Sequence, residues 1–599
     1  MNGSGEPVGP SGNSPESVME ITLAGRRLRV SRFTFLLLLG VVVGAVTGCV
    51  AVIFRLAAFY GERLLFPASE HSAIHVIPWL PPWLLRLLMP AVGGLVSGLI
   101  LYRLLKYAGG HSIPAILQAV ASGQSYFKAS MAFPPSMAIV TIATGGSVGP
   151  EGPIAEIGSV TGSLIGRWAR IPPRLVKTLI GAGVAAGIAA VFNSPIGGVF
   201  FAIEVILRNY EIASLTPILV AAVVSSVIAQ AALGDRMAIE FPNLGDIPAG
   251  ELPWFAVLGL LCGALSFLYI HGLGACHGLF RRSGIALWAR PMVGGVLVGL
   301  IGILFPAVMG EGYEFIRGVI HGSAAEGSVL LLLMLVVLKI AATGFSLGSG
   351  NPGGSFAPAV FIGVMAGAAY GYVLRDFRLV QDVAPYAMTG MAGLIAGGLG
   401  APITAILITI RHGGADGPEI ILPVMTTVAL CFFVMQLQRN VSVYTLEFLR
   451  LGIDLDRARQ VDPLSLVRVR SVVHTGDFDE LPADMPVRQA LAQFKESAAR
   501  WFVVRGEGGQ FAGIVSLHEM RLAIAEEELA DLLVLADITD SFQPRLHEEM
   551  SLKEALASFN ATEAEVLPVF KDQEAGSEFR GVVSRQDALN AYCECTEQA

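Results

Sequence analysis

One acidic residue stands inside a cluster of helix breakers, Gly149-Pro150-Glu151-Gly152-Pro153, directly ahead of an apolar run. Proline suits a first helical turn. The backbone N–H groups of such a start lack intrahelical partners and carry the positive end of the helix dipole. The amides of this start, those of Gly149 and Gly152 among them, would attract an anion. A carboxylate within an apolar segment is costly and marks function; the plainer reading is a side chain that caps its own helix. Two more starts have this character, Gly110-His111-Ser112-Ile113-Pro114 and Gly353-Gly354-Ser355-Phe356-Ala357-Pro358. Three uncapped starts converging would form a buried electropositive spot without a full cationic charge. That suits a permeating anion, which must bind weakly enough to leave.

A repeat must position these starts. The skeleton Gly-x3-Pro-x4-Gly-x3-Gly occurs at Gly149, Pro153, Gly158 and Gly162, and again at Gly354, Pro358, Gly363 and Gly367, at one offset of 205 residues. Gly183, Ala189 and Pro195 match Gly390, Ala396 and Pro402 at an offset of 207. Membrane proteins built from two related halves bind substrate at the interface of the halves, using helices broken near mid-bilayer. Apolar segments 33–59, 86–105, 213–233, 254–275, 329–347 and 418–437 are long enough to span. Segments 113–121, 130–144, 153–168, 179–192, 196–207, 355–373, 387–399 and 403–410 are short or interrupted by Gly and Pro. Short pieces must be tilted, re-entrant or shielded by protein. Ordinary packing through small residues is the alternative, but the interruptions recur at matching places.

Composition agrees. Of 599 residues 53% are hydrophobic and 15% charged, and the mean hydropathy is +0.64, too apolar for a soluble chain of this size. From residue 461 onward about 25 acidic residues face 12 basic ones. The net negative charge therefore belongs to a soluble tail, and nothing points to nucleic acid. Cys49, Cys262, Cys276, Cys431, Cys593 and Cys595 show no metal or disulfide spacing. The first 20 residues are polar and rich in Gly, Ser and Pro, with no cleavable signal peptide. Arg26, Arg27, Arg29 and Arg32 precede the first apolar run, which puts the N-terminus in the cytoplasm by the positive-inside rule. The tail alternates helix and strand twice: helix 487–494, strands 501–505 and 511–516, helix 517–525; then helix 552–559, strands 566–570 and 581–584, helix 586–592.

On these residues the chain resembles the CLC family of chloride channels and chloride/proton antiporters over about 33–450. Gly149–Pro153 is similar to the family's G-[KR]-E-G-P stretch, Gly354–Pro358 to its G-x-F-x-P stretch, and 110–114 to its G-S-G-I-P stretch. Asn193-Ser194-Pro195, Ile203-Glu204 and Val443-Tyr444 match further segments. The tail resembles a tandem pair of CBS modules. The resemblance implies that Glu151 gates the pathway, leaving it when protonated. It also implies that backbone amides of Ser355 and Phe356 hold the central anion, and that Tyr444 donates its hydroxyl. Tyr444 as an interfacial belt residue is the competing reading. For the tail it implies an adenine-nucleotide site (ATP, ADP or AMP) between modules, with Ser584 and Asp587, and more weakly Ser516 and Glu519, contacting phosphate and ribose. A dimer contact without ligand is the alternative.

Three departures bear on mechanism. His111 stands at the family's coordinating serine; either Ser112 substitutes or the imidazole N–H coordinates. Pro150 replaces a basic residue and removes an amide donor. Val205 stands where the family's antiporters carry a glutamate that relays protons, leaving Glu156 and Glu204 as candidate relays. The expectation is a polytopic α-helical membrane protein with two structurally related inverted halves and broken helices, followed by an α/β cytoplasmic CBS pair. Boundaries fall at 1–30 (disordered cytoplasmic arm), 31–240 and 241–460 (the halves), and 461–535 and 536–599 (the modules). The function expected is a chloride channel gated by Glu151, with a chloride/proton antiporter using a non-standard relay as the alternative. Partners are a small anion, membrane lipid and a second copy as homodimer; no metal and no required cofactor are expected. An intramembrane zinc protease lacks His-Glu-x-x-His, since His547-Glu548-Glu549 lies in the tail without a second His, and a divalent-cation channel would need clustered intramembrane carboxylates.

Overall fold

The helix starts read from the sequence open real helices, and the repeat organises them. The computed structural model describes residues 18–23, 26–66, 81–105, 113–121, 127–208, 212–234, 239, 241, 247–321, 328–414, 419–438, 441–450, 468–474, 478–494, 501–524, 533–539, 544–562, 564–572, 578–588 and 590–591. They fall into two units, Met1–Ile453 and Asp454–Ala599.

The first unit is helical. Its first half holds α1 (Arg32–Leu65), α2 (Pro82–Gly98), α3 (Ile113–Ala121), α4 (Phe133–Ser136), α5 (Ala138–Ala143), α6 (Glu151–Trp168), α7 (Pro173–Phe192), α8 (Pro195–Phe201) and α9 (Ile212–Leu233). Its second half holds α10 (Leu252–Arg282), α11 (Arg290–Leu304), α12 (Tyr313–Ile320), α13 (Val329–Gly348), α14 (Phe356–Asp376), α15 (Ala384–Leu399), α16 (Pro402–His412), α17 (Ile421–Leu437) and α18 (Leu446–Arg450). Helices α6 and α7 pack as α14 and α15 do, and α1 meets α9 as α10 meets α17. Among the described residues seven helices are long and apolar enough to cross a membrane. Leu175–Phe192 and Phe356–Asp376 are buried over most of their length, whereas Phe33–Leu65 and Ala249–Arg282 keep large apolar side chains on the outside. An apolar outer face around a buried helical centre is the arrangement of a multi-pass membrane protein.

The repeated residues mark helix crossings. A Cβ on Gly158 would lie 2.2 Å from the Gly183 carbonyl oxygen; one on Gly363 would lie 2.5 Å from that of Gly390. Glycine at both places lets α6 touch α7, and α14 touch α15, backbone to backbone. Asn193 and Gly400 end α7 and α15 in left-handed conformations at φ 51° and 71°, and Pro195 and Pro402 open the next helices, so the second match encodes a stop followed by a start. A third repeat, at an offset of 201, relates Pro90, Gly94 and Gly98 to Pro291, Gly295 and Gly299. A Cβ on Gly94 would meet the Pro291 carbonyl oxygen at 2.1 Å, and one on Gly295 that of Pro90 at 2.0 Å. Helices α2 and α11 therefore contact each other reciprocally, as two-fold related elements do at their axis.

The structure differs from the sequence expectation at several points. Segment 355–373, read as short, lies in a 21-residue helix, and 179–192 extends back to Pro173, while α11 and α12 were not foreseen. The arm expected to be disordered to residue 30 carries a hairpin, β1 (Val18–Leu23) antiparallel to β2 (Arg26–Ser31), with Met19 opposite Val30 and Ile21 opposite Leu28. The alternation of apolar and polar residues in both segments accounts for it. Residues 1–17 lie outside the described residues, as do Cys593 and Cys595.

The tail holds two sheets of the same design. In the first, β3 (Phe478–Pro482) runs parallel to β4 (Trp501–Arg505), which pairs antiparallel with β5 (Phe511–Ser516). In the second, β6 (Leu546–His547), β7 (Val566–Phe570) and β8 (Phe579–Ser584) repeat the pattern. Register irregularities fall at equivalent places, Val504/Arg505 and Val569/Phe570. Helices α19 (Val487–Phe494), α20 (Leu517–Ile524), α21 (Leu535–Ile538) and α22 (Leu552–Thr562) accompany them. Val469 is buried in the second core with Leu552 and Phe559, whereas Ile538, just past the boundary drawn at 535, packs against the first with Leu535 and Phe502. Val503 and Ile514 pack against Val566 and Val582 to join the modules.

Candidate functional site

The two breaker segments meet each other. Gly149 N–H donates to the Gly354 carbonyl at 2.8 Å, and Gly354 N–H to the Gly149 carbonyl at 2.7 Å. The residues are repeat mates, so the exchange lies on the internal two-fold axis. Helix α6 begins two residues after Gly149, and α14 two residues after Gly354; neither Pro150 nor Ser355 caps its helix with a side chain. Amides of the first turns are thus left for another partner. The amide of Gly149, expected to help hold an anion, is instead committed to Gly354, because on the axis each strand-like segment satisfies the other.

Glu151 fills the space between the starts. Its side chain is fully buried, and Oε1 accepts a hydrogen bond from the Tyr313 hydroxyl at 2.9 Å. Oε2 is buried without a hydrogen bond, and the carboxylate neighbours the backbone amides of Glu151 and of Ala357 in the first turn of α14. A Cβ on Gly149 would come within 2.0 Å of Oε2, so glycine there makes room for the carboxylate. The carboxylate therefore sits beside first-turn amides of both α6 and α14.

Deeper in the same region, α14 opens beside aromatic side chains. Phe356 packs on Phe192 with ring centroids 4.5 Å apart and neighbours Phe201. Phe201 in turn meets Tyr444 edge to face at 6.5 Å. The Tyr444 hydroxyl is buried without a geometrically formed hydrogen bond, and the Ser355 side chain is its polar neighbour. A turn holds Tyr444: Val443 N–H donates to the Gly398 carbonyl at 2.9 Å and Ser442 N–H to Thr445 Oγ1 at 2.9 Å. Sequence reasoning missed Tyr269 on α10, whose hydroxyl donates to the Ser355 carbonyl at 2.7 Å, and Tyr313. Each is a tyrosine whose partner lies far off in the chain. Only the Gly-Glu-Gly-Tyr run at 310–313 offered a signal. His111 and Ser112 lie outside the described residues.

The candidate relays occupy different settings. Glu204 accepts from Ile403 N–H and Thr404 N–H, both at 2.8 Å, and from the Thr404 hydroxyl at 2.6 Å. It caps α16 from the other half of the molecule. Val205 is buried in a π-helical turn, Ala202–Leu207. Glu156 is buried on α6 and already engaged. In the tail, Ser516 and Glu519 form a capping box, with Ser516 N–H and hydroxyl donating to Glu519 Oε2 at 2.7 and 2.8 Å. The Ser584 hydroxyl donates to Asp587, which also meets His474 Nε2 at 3.0 Å.

Comparison with known proteins follows this geometry. A family model described as voltage gated chloride channel matches residues 93–436, and a CBS domain model matches 469–526. A ClcB-like chloride channel protein of Ralstonia nicotianae is 32% identical over 353 residues, covering 57% of this chain and 81% of its own length. An H(+)/Cl(-) exchange transporter, ClcA of Klebsiella pneumoniae, is 28% identical over 65% of this chain and 83% of its own length. The crystal structure of a slow cyanobacterial Cl-/H+ antiporter superposes with a TM-score of 0.61 at 24% identity, over 69% of this chain and 97% of that one; this likeness is one of fold.

Proposed function

Because this chain belongs to the voltage gated chloride channel family, within which it is a multi-pass anion-transporting membrane protein with a CBS tail, we propose that it is a chloride channel gated by Glu151. The observation that carries the reading is the seat of that carboxylate between the uncapped starts of α6 and α14. Ionised, it takes the anion's place on the backbone amides; protonated, it loses the charge that holds it there, and chloride replaces it. Amides near Gly152, Ser355 and Phe356 and the buried hydroxyl of Tyr444 are the proposed anion contacts. A bound anion held by neutral dipoles leaves more easily than one paired with a full cation. Passive conduction is favoured over proton coupling because the inner relay position is the buried Val205 and Glu204 is engaged as a helix cap.

The second reading is chloride/proton exchange, favoured by relatives named as exchangers, with Glu156 or Glu204 as relay. We further take the N-terminus and tail as cytoplasmic, the protein as a homodimer with one pathway per subunit, and the CBS pair as a nucleotide site near Ser584 and Asp587. The test is chloride efflux from liposomes holding the purified protein, with valinomycin carrying potassium and external pH recorded. Expected are efflux without stoichiometric proton uptake and a changed flux in Glu151→Gln. Proton movement in fixed ratio to chloride would establish the exchanger; no anion flux at any pH would overturn both.

A further inference from the structure

Near Glu151 and Tyr313 lies a group of charged residues that the proposed anion contacts do not include. Lys339, fully buried on α13, donates to the carbonyls of Val308 and Gly310 at 3.0 and 2.8 Å and lies 4.9 Å from the centroid of the Phe361 ring. It thereby pins the segment that presents Glu311 and Tyr313. That segment turns through Gly310 and Gly312 at φ 54° and 82°, a conformation that favours glycine. The groups facing Glu311 are Glu151 on α6, Glu62 and Arg55 on α1, Lys339 on α13 and Tyr313 on α12. Glu314 faces Glu62, whose Oε1 would lie 3.5 Å from a Cβ on Gly310.

We propose that Tyr313 is a positioning residue that latches Glu151 in its seat, on a segment that Lys339 pins to α13. The inference rests on Glu151 acting as the gate. A hydroxyl donating to a carboxylate favours the ionised, seated form.

The experiment measures chloride flux against pH in liposomes for the wild type, Glu151→Gln, Tyr313→Phe and Glu311→Gln. Flux rises with acidity in the wild type and becomes pH-independent in Glu151→Gln. Tyr313→Phe moves the midpoint to higher pH by about one unit, whereas Glu311→Gln, which leaves the Tyr313 hydroxyl in place, keeps it. General loosening of the segment would move the midpoint in both variants. If Glu151→Gln abolishes the pH response while Tyr313→Phe keeps the wild-type midpoint, or Glu311→Gln shifts it equally, the latch is refuted and the gate stands. If Glu151→Gln keeps the pH response, the gate itself fails, and the latch with it.

Discussion

Gly149→Ala is expected to expel the Glu151 carboxylate without unfolding the protein. The new Cβ would stand 2.0 Å from Oε2 and 2.9 Å from the Ala357 Cβ. A carbon–oxygen contact is comfortable at about 3.4 Å, so Oε2 must retreat by about 1.4 Å. It is the free end of a flexible side chain and can do so, but not while the carboxylate keeps the 2.9 Å bond that Oε1 accepts from Tyr313 and its place before the amides of α14. A hydrogen bond to a charged group contributes about 1.5–3 kcal/mol, so the seated state should lose about one to two orders of magnitude in population. Gly354→Ala makes the contrast. Its Cβ would fall 2.8 Å from the Gly152 nitrogen and 3.0 Å from the Gly149 carbonyl oxygen. Those are backbone atoms of the crossing, and it should lower folded yield instead. Size-exclusion profiles and liposome flux from pH 5 to 7.5 separate the cases. A folded Gly149→Ala protein that keeps the wild-type pH dependence would refute the seat.

Glu204→Ala removes three hydrogen bonds at the start of α16 and should destabilise by about 2–3 kcal/mol, lowering the melting temperature in detergent by roughly 2–5 °C, with Glu204→Gln intermediate. Both variants at wild-type stability but with altered proton movement would mark Glu204 as a relay instead of a cap. In the tail, Ser551 N–H and hydroxyl donate to Glu554 Oε2 at 3.0 and 2.8 Å, and these bonds hold its pKa below the usual carboxylate value. A lowered folded value stabilises above the unfolded pKa of about 4.3 and is lost as pH falls through the folded one. Hydrogen-exchange protection in the first turn of α22 should therefore hold from neutral pH to about 5 and fall below about 4. Glu554→Gln should flatten that response, and an unchanged acid profile in the variant would exclude the cap as its source.

What was legible in the sequence is what short-range chemistry determines. Helix breakers ahead of apolar runs gave the starts of α6 and α14. Alternation gave β4, β5 and β7, and recurring glycines gave the two halves. Features set by long-range partners were hidden. Glu204 caps a helix about 200 residues away, Tyr313 reaches Glu151 across 162 residues, and the Gly149 amide goes to Gly354. The repeat of Pro90, Gly94 and Gly98 with Pro291, Gly295 and Gly299 stands in the sequence, but its meaning needs the carbonyl that each glycine admits. Very short strands such as Leu546–His547 have no periodicity to read, and Val469 reaches the second core only through tertiary pairing.

The Gly149–Gly354 exchange has a consequence for how such a pathway can be specialised. A residue on a two-fold axis meets its own mate, and at the same offset the mate of Glu151 is Phe356. Two separate identical halves would have to set two carboxylates, or two phenyl rings, about that axis. Joining the halves in one polypeptide frees each position to diverge. The glycines, which both sides need for the same close approach, stay alike, while one side acquires an ionisable arm and the other an aromatic wall. Covalent fusion is thus what lets a symmetric scaffold carry a single gate.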